Sequence, residues 1–304
     1  MFDETAAGVY VIAVTPFLPD GSVDMDSTDR MVDFYLDAGA TGLTVLGIMG
    51  EAPKLTGAES AAFVKRIVAR VAGRVPVIVG VSAPGFAQME GLTKSVMESG
   101  AAGVMVAPPN HLRTDDQIVG YYHQAVDFIG DAPMVVQDFP LVTGVQMSVP
   151  VIARIVRDLP TCVCLKHEDW PGLEKISTLR KPGVLDRRIS ILCGNGGVFL
   201  PEEMARGADG AMTGFAYPEM MVSVVKHHAS DPERGRDLFD AYLPLARFEQ
   251  QPGLGLAIRK HVLAKRGVIA HATQRRPGAA LSPAGVAEVE ALMARLTRRL
   301  AELG

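Results

Sequence analysis

A nine-residue phrase recurs three times along the chain. Residues 39–47 read GATGLTVLG, residues 100–108 read GAAGVMVAP and residues 207–215 read GADGAMTGF. Each copy follows a stretch with the periodicity of an amphipathic helix and leads into a short apolar run. The phrase therefore predicts a helix stopped by glycine, a tight turn and then a buried strand. We expect a left-handed backbone at the first glycine of each copy, since glycine has no Cβ to clash. These glycines are Gly39, Gly100 and Gly207.

The other apolar runs extend this alternation to eight strands and eight helices. Strands are predicted near residues 9–15, 42–47, 75–82, 103–108, 133–139, 162–168, 189–194 and 210–215. Helices are predicted near residues 27–38, 57–72, 87–98, 115–129, 148–158, 171–180, 197–206 and 218–228. Strands that are apolar on both faces and alternate with helices indicate a parallel sheet. Eight such units in about 220 residues favour an α/β fold of the closed (β/α)8 TIM-barrel type. The dinucleotide-binding alternative is weakened because no GxGxxG follows the first strand.

After the eighth unit the sequence reads as helices only, near residues 232–249, 254–266 and 284–302. We therefore divide the chain into a catalytic barrel domain, 1–230, and a three-helix C-terminal extension, 231–304. The extension is too short and too helical to be a catalytic domain of its own. We expect it to pack on the barrel or on a partner subunit.

Composition argues against several classes of partner. The 304 residues are 48% apolar and carry a formal net charge of -4, with no basic block, so nothing indicates nucleic acid. The first apolar run breaks at Pro16 and lacks a basic segment before it, which argues against a signal peptide and a membrane span. Three cysteines without a CxxC motif indicate reduced thiols, and hence a cytoplasmic protein.

One lysine interrupts an apolar strand at the end where barrel enzymes carry their chemistry. The active site of such a barrel lies at the carboxyl ends of its strands, and Lys166 ends the run CVCL. Burial disfavours a charged amine, and a neutral amine is the nucleophile that a carbonyl requires. Strand context leaves open the alternative that Lys166 is solvated or ion-paired with Glu168 or Asp169.

Other polar residues at the strand ends have two interpretations each. Strand alternation places Glu168 on the same face as Lys166, where it could shuttle protons or only form a salt bridge. Glu51, after the GIMG turn, is favoured as a carboxylate that stabilises the turn over a catalytic base. The loop GNGG at 194–197 is favoured as a glycine-requiring turn, although its N–H groups could hold an anion. His227-His228 reads as a solvated helix end, and we expect neither a metal nor a cofactor.

Taken in order along the chain, these motifs resemble the dihydrodipicolinate synthase / N-acetylneuraminate lyase family. The matching segments are VTPF with DGSVD at 14–24, GxxGE at 47–51, PMVV before a polar strand end at 133–138, Thr143-Gly144, CLKHED, CGNGG and GADGAMTGF. The resemblance covers essentially the whole chain. It implies a pyruvate-type Schiff base on Lys166 and a substrate carboxylate held by backbone N–H groups of the GxxGE turn. It also implies an oligomer, usually a tetramer built as a dimer of dimers.

The departures from the family pattern bear on the substrate. Ile48 and Met49 replace two threonines, and Gln137 replaces a tyrosine that shuttles protons, which an amide cannot do. A second tyrosine, expected near Asn110, is missing, and Val142 stands where the synthase has an arginine for its second substrate's carboxylate. These differences argue against dihydrodipicolinate synthesis. The pattern Gln-Asp-x-Pro, Lys-x-Glu and GAMTG instead resembles the 2-keto-3-deoxy-sugar-acid dehydratases, especially the L-2-keto-3-deoxyarabonate branch.

The resulting hypothesis is a class I Schiff-base lyase that dehydrates or cleaves a 2-keto-3-deoxy sugar acid. Lys166 forms the iminium, Glu168 removes the C3 proton and Gln137 orients a hydroxyl or water. The predicted substrate-binding residues are Gly47, Ile48, Met49, Gly50, Asn195, Met212 and Thr213. Three alternatives remain: a synthase-type condensation of pyruvate with an aldehyde, a catalytically altered binding or regulatory protein, and a metal-dependent aldolase. The predicted partners are a small 2-keto acid and further copies of the chain, as a dimer or tetramer.

Overall fold

Parallel strands close into a barrel in the computed structural model, which describes residues 2–170 and 172–304. Within these residues there are eight strands: β1 (Gly8–Ile12), β2 (Gly42–Val45), β3 (Val77–Gly80), β4 (Gly103–Val106), β5 (Met134–Asp138), β6 (Cys162–His167), β7 (Ser190–Cys193) and β8 (Gly210–Thr213). Each pairs in parallel with the next along the chain, and β1 pairs with β8, which closes the sheet. The predicted TIM barrel is confirmed.

Helices connect the strands and continue beyond the last one. They are α1 (Met25–Asp37), α2 (Gly57–Val71), α3 (Phe86–Glu98), α4 (Asp115–Ile129), α5 (Pro140–Thr143), α6 (Val149–Asp158), α7 (Leu173–Leu179), α8 (Leu200–Ala205), α9 (Pro218–His227), α10 (Pro232–Glu249), α11 (Gly255–Lys265) and α12 (Pro283–Leu303). The short helix α5 was not predicted. The first residue of the helix predicted over 171–180 lies outside the described residues. The division of the chain at residue 230 stays a prediction.

The recurring glycines end their helices as the sequence predicts. Gly39, Gly100 and Gly207 have φ angles of 90°, 98° and 94°. Each donates its N–H to a carbonyl three residues back, at 3.0 Å, so the last turn of each helix is capped. The left-handed expectation for these positions is confirmed.

Two apolar layers lie on the two faces of the barrel wall. The inner layer contains Tyr10, Ile12, Ile78, Met105, Val135, Cys164, Leu192 and Met212. The outer layer joins the remaining strand side chains to the surrounding helices. Burial of each large apolar side chain contributes roughly 1.5–3 kcal/mol to the stability of the fold, so the two layers together stabilise the barrel wall. Gln137 and Lys166 are two residues beyond Val135 and Cys164, and strand alternation therefore carries them on the inner face towards the carboxyl end.

The helices of the C-terminal extension pack on the barrel as well as on one another. Helix α10 contacts α9, α11 and α12, and it also contacts the loop that follows β7. Two consecutive cations of α11, Arg259 and Lys260, are buried. The extension therefore reaches the end of the barrel at which the strands terminate. In the described part of the chain, no helix combines the length and apolarity needed to cross a membrane.

Candidate active site

A cavity of about 520 Å³ lies at the carboxyl end of the barrel. Its barrel side includes Ile12, Ile48, Met49, Gln137, Phe139, Lys166, Glu168, Asn195 and Thr213. Its other side comes from the extension and includes Glu249, Gln250, Gln251, Arg259 and Gln274. The size suits a small metabolite, and a few polar groups converge on an otherwise largely apolar wall.

Three buried polar side chains meet at the barrel face of this cavity. Strand register places Gln137 directly beside Lys166, and Glu168 lies two residues further along. Lys166 Nζ is 2.7 Å from Glu168 Oε1, and Gln137 donates from Nε2 to the same oxygen at 2.7 Å. The three residues are at most 5% exposed. One carboxylate oxygen therefore contacts both the amine and the amide, which is a geometry suited to proton transfer at the amine.

The loop after β7 is shaped around Glu168. A Cβ on Gly194 would lie 2.1 Å from Glu168 Cγ and 2.4 Å from its Oε2, so no other residue fits there without moving the carboxylate. Asn195 donates from Nδ2 to the Glu168 carbonyl at 3.2 Å. Thr213 Oγ1 accepts the N–H of Gly196 at 2.8 Å. Asn195 and Thr213 therefore both line the cavity and tie neighbouring loops together.

The alternate residues of the same segment face away from the cavity. His167 lies on the outer side, with Nε2 3.1 Å from the Gly172 carbonyl and Nδ1 3.7 Å from Asp138 Oδ2. Lys175 donates to Asp138 at 2.8 Å and contacts Asp169 at 2.7 Å. This outer network links β5, β6 and α7, whereas Lys166 pairs with Glu168 on the inner side.

The turn at 47–51 lies at the cavity and contains backbone N–H groups without a backbone partner among the described residues. Ile48 begins a single 3-10 turn that ends at Gly50, and the side chains of Ile48 and Met49 line the cavity. The N–H groups that start such a turn lack partners within it. Within residues 2–170 and 172–304, those of Ile48 and Met49 have no backbone acceptor. They are therefore suited to hold a carboxylate.

A buried ion pair anchors this turn to the extension. Lys260 Nζ is 2.5 Å from Glu51 Oε1 and donates to the carbonyls of Thr15 and Thr273 at 2.8 Å each. Glu51 also accepts from Lys54 Nζ at 2.8 Å. Burial lowers the pKa of Lys260 to about 8, an effect that Glu51 opposes. Glu51 is thus a structural carboxylate of the turn, as the sequence favours, and its main partner comes from α11.

Some predicted residues lie next to the cavity without lining it. Met212 is fully buried in the inner layer, and Gly47 and Gly50 belong to the turn at 47–51 but do not line the cavity. The cavity wall from the extension was not predicted. A local signal for it is the pair of consecutive cations at 259–260 in the predicted helix.

The paired histidines and the cysteines lie away from this chemistry. His227 ends α9 and contacts the Ser223 carbonyl through Nδ1 at 2.8 Å. In the described residues no group of three or more His, Cys, Asp or Glu side chains is arranged around a common point. Cys162, Cys164 and Cys193 are free and buried.

A closed barrel with a buried lysine and a carboxylate at its carboxyl end is the arrangement expected of a Schiff-base-forming lyase. Comparison with known families agrees, since residues 5–296 match the model of the dihydrodipicolinate synthetase family. The chain belongs to this family, and the resemblance noted in the sequence is confirmed.

Individual relatives divide between two activities. The chain is 31% identical to the L-2-keto-3-deoxyarabonate dehydratase of Azospirillum brasilense, over 95% of this chain and 94% of the relative. It is 32% identical to the 4-hydroxy-tetrahydrodipicolinate synthase of Sorangium cellulosum, over 68% of each chain. Among solved structures, a dihydrodipicolinate synthase from Rhodopseudomonas palustris has a TM-score of 0.94 and 55% identity, covering 97% of this chain and 99% of that one.

Proposed function

We propose that this enzyme dehydrates a 2-keto-3-deoxy sugar acid through a Schiff base on Lys166. The observation that carries the proposal is the buried Lys166 amine, 2.7 Å from Glu168 Oε1 at the cavity. The L-2-keto-3-deoxyarabonate dehydratase that matches nearly the whole chain supports this choice of reaction. The synthase is the second candidate.

The first half of the reaction forms the imine. Glu168 takes a proton from the Lys166 ammonium, and the free amine adds to the C2 ketone of the substrate. The carbinolamine then loses its C2 oxygen as water, with a proton returned by Glu168, which leaves a cationic iminium. The N–H groups of Ile48 and Met49 hold the substrate carboxylate during these steps.

The second half removes water from C3 and C4. The iminium draws electrons from C3, and Glu168 takes the C3 proton to give an enamine. The enamine electrons expel the C4 hydroxyl, which leaves as water with the proton that Glu168 gained. Hydrolysis of the unsaturated iminium releases the product and restores Lys166. Gln137 cannot exchange protons, so it serves by holding the Glu168 oxygen in place at 2.7 Å.

The condensation of pyruvate with an aldehyde is favoured by the 55% identity to the synthase structure from Rhodopseudomonas palustris. Two features of this cavity argue against it. Gln137 offers no phenol to relay protons, and Val142 lines the cavity where the family resemblance places an arginine. Water loss from a panel of 2-keto-3-deoxy acids, measured beside pyruvate release and condensation, decides between these reactions.

Lys166→Ala tests the Schiff base itself. Borohydride reduction in the presence of pyruvate should attach a stable adduct to the wild-type chain, which mass spectrometry of peptides locates at Lys166. Lys166→Ala should give no adduct, whereas Lys65→Ala, which changes an exposed lysine of α2, should trap pyruvate normally. An adduct at another lysine, or none on the wild type, would disprove the proposal.

We also propose that the enzyme works in the cytoplasm as a homo-oligomer. The three buried thiols suit a reducing compartment. Leu141 and Trp170 are large apolar side chains with 67% and 44% exposure, as expected of positions that another copy covers. Sedimentation velocity tests the assembly, and a monomer at micromolar concentration would contradict it.

A further inference from the structure

The wall that the extension supplies to the cavity carries five polar side chains, set among apolar residues and glycines. Glu249 ends α10, Gln250 and Gln251 follow that helix, Arg259 lies in α11, and Gln274 lies in the segment before α12. The barrel wall carries the amine, the carboxylate and the turn that are proposed to act on C1 to C4. The extension wall therefore faces the part of the cavity left for the rest of a substrate.

Two glycines of the barrel loops leave room for the polar side chains of this wall. A Cβ on Gly214 would lie 2.1 Å from Arg259 Nη1. A Cβ on Gly196 would lie 2.1 Å from Gln250 Nε2. Any larger residue at either position would displace the arginine or the glutamine. The loops after β7 and β8 thus fit these two side chains closely.

The Arg259 guanidinium is fixed by two hydrogen bonds, but one of its nitrogen atoms has no partner in the described residues. It donates from Nε to Glu249 Oε1 at 2.6 Å and from Nη2 to the Gly214 carbonyl. Arg259 is 2% exposed, and its Nη1 has no hydrogen-bond partner in the described residues. A buried donor without an acceptor costs about 1–3 kcal/mol, so such a group in a native fold calls for an acceptor from outside the chain, either a water or a ligand.

The charges of the cavity indicate which kind of acceptor fits. Each cation that lines it is paired with a carboxylate: Lys54 with Glu51, Lys166 with Glu168, and Arg259 with Glu249. Burial raises the pKa of Glu249, and Arg259 opposes that rise. No lining cation of the described chain is therefore left over for a second carboxylate or a phosphate. A neutral oxygen is the matching acceptor.

We propose that Arg259 and Gln250 form a subsite for the hydroxyl groups beyond C4 of the substrate, so that the enzyme selects acids with an uncharged polyol tail. This inference rests on the proposed function, because the keto-acid end must be held at Lys166 for the tail to reach the extension. Arg259 Nη1 donates to a tail hydroxyl, while the amide of Gln250 can donate and accept. Tail recognition then depends on residues that take no part in forming the imine.

The test compares two substrates that differ only in the tail. One is a five-carbon 2-keto-3-deoxy acid with hydroxyls at C4 and C5, and the other is 4-hydroxy-2-oxopentanoate, which keeps the C4 leaving group and lacks the C5 hydroxyl. The wild type should show a kcat/KM for the full acid roughly 10- to 100-fold above that for the truncated one, the range of a hydrogen bond to a charged donor. In Arg259→Lys the kcat/KM values for the two acids should lie within about 3-fold of each other, mainly because kcat/KM for the full acid falls.

Further variants keep the test decisive if Arg259→Lys does not fold. Glu249→Gln/Arg259→Gln removes both charges of the buried pair together, which avoids an unpaired carboxylate. Lys265→Gln, at an exposed position of the same helix, should keep the wild-type preference. Equal kcat/KM of the wild type on the two acids, or an equal loss on both in a folded variant, would overturn the subsite and leave the lyase proposal standing. Absence of pyruvate trapping by the wild type would instead remove the proposed function.

Discussion

Gly194→Ala tests whether the position of the Glu168 carboxylate limits the rate. The added Cβ would lie 2.1 Å from Glu168 Cγ, whereas contacts under 3.0 Å are essentially never seen at a Cβ, so the carboxylate must retreat by roughly 1 Å. Gly194 has a φ of -106°, outside the left-handed region, so the change acts by steric displacement of its neighbour. A misplacement of about 1 Å can lower turnover roughly 100-fold.

The assay is kcat for water loss from the best keto acid of the panel, with borohydride trapping of pyruvate measured beside it. We expect kcat to fall roughly 100-fold while the Lys166 adduct still forms, because the amine itself is not displaced. Gly120→Ala serves as the control, since a Cβ at that position in α4 meets nothing within 4 Å. It should keep the wild-type kcat.

A double-mutant cycle decides whether the loss passes through Glu168. If the alanine acts only by moving the carboxylate, Gly194→Ala should cost nothing further in a Glu168→Gln background. Losses that add in the double variant would refute the reasoning, because Gly194 would then act on some other group. Full kcat in Gly194→Ala would refute it more directly.

Two further predictions concern buried titratable side chains other than Lys166 and Glu168. Burial raises the pKa of Glu203 from 4.5 to about 8, so the stability from its bound proton is complete below pH 4.5 and is lost as pH rises through 8. Between pH 4.5 and 8 the wild type should therefore lose up to about 5 kcal/mol of unfolding free energy that Glu203→Gln does not lose. If denaturant unfolding gave the two proteins the same dependence of stability on pH, the prediction would be wrong. Lys260→Met should destabilise the fold by about 3–5 kcal/mol and raise the half-saturating pyruvate concentration in trapping. Unchanged half-saturation in the folded variant would contradict a role in the turn.

Features that depend on residues close together in the chain can be predicted from the sequence. Gly39, Gly100 and Gly207 end their helices because only glycine takes the left-handed conformation freely. The residue type alone therefore predicts the helix end. The closeness of Lys166 and Glu168 follows from the two-residue period of a strand. The strand predicted over 9–15 is shorter in the structure and ends at Ile12, although Ala13 still donates its N–H to the Thr44 carbonyl of β2 at 2.9 Å.

Features that depend on long-range register could not be predicted in this way. Gln137 lies beside Lys166 because β5 and β6 pair with one particular offset, which includes an irregularity at Met134. The approach of Lys260 to Glu51 spans 209 residues of sequence, and no local pattern encodes the distance. The sequence predicts Met212 in the cavity wall, whereas its side chain fills the inner layer of the barrel.

The site divides into a part built locally and a part built by docking of the extension. Lys166 and Glu168 belong to one strand and its end, so their contact depends on β6 and its neighbours alone. The contacts from Lys260 to Glu51 and from Arg259 to Gly214 both join α11 to barrel loops. If the proposed binding sites are correct, substitutions in the extension change how the substrate carboxylate and the substrate tail are bound, while Lys166 can still form the imine. A dehydratase and a synthase can share one barrel and one lysine, because Gln137, Val142 and the proposed subsite at Arg259 and Gln250 can differ while the Lys166–Glu168 pair stays the same.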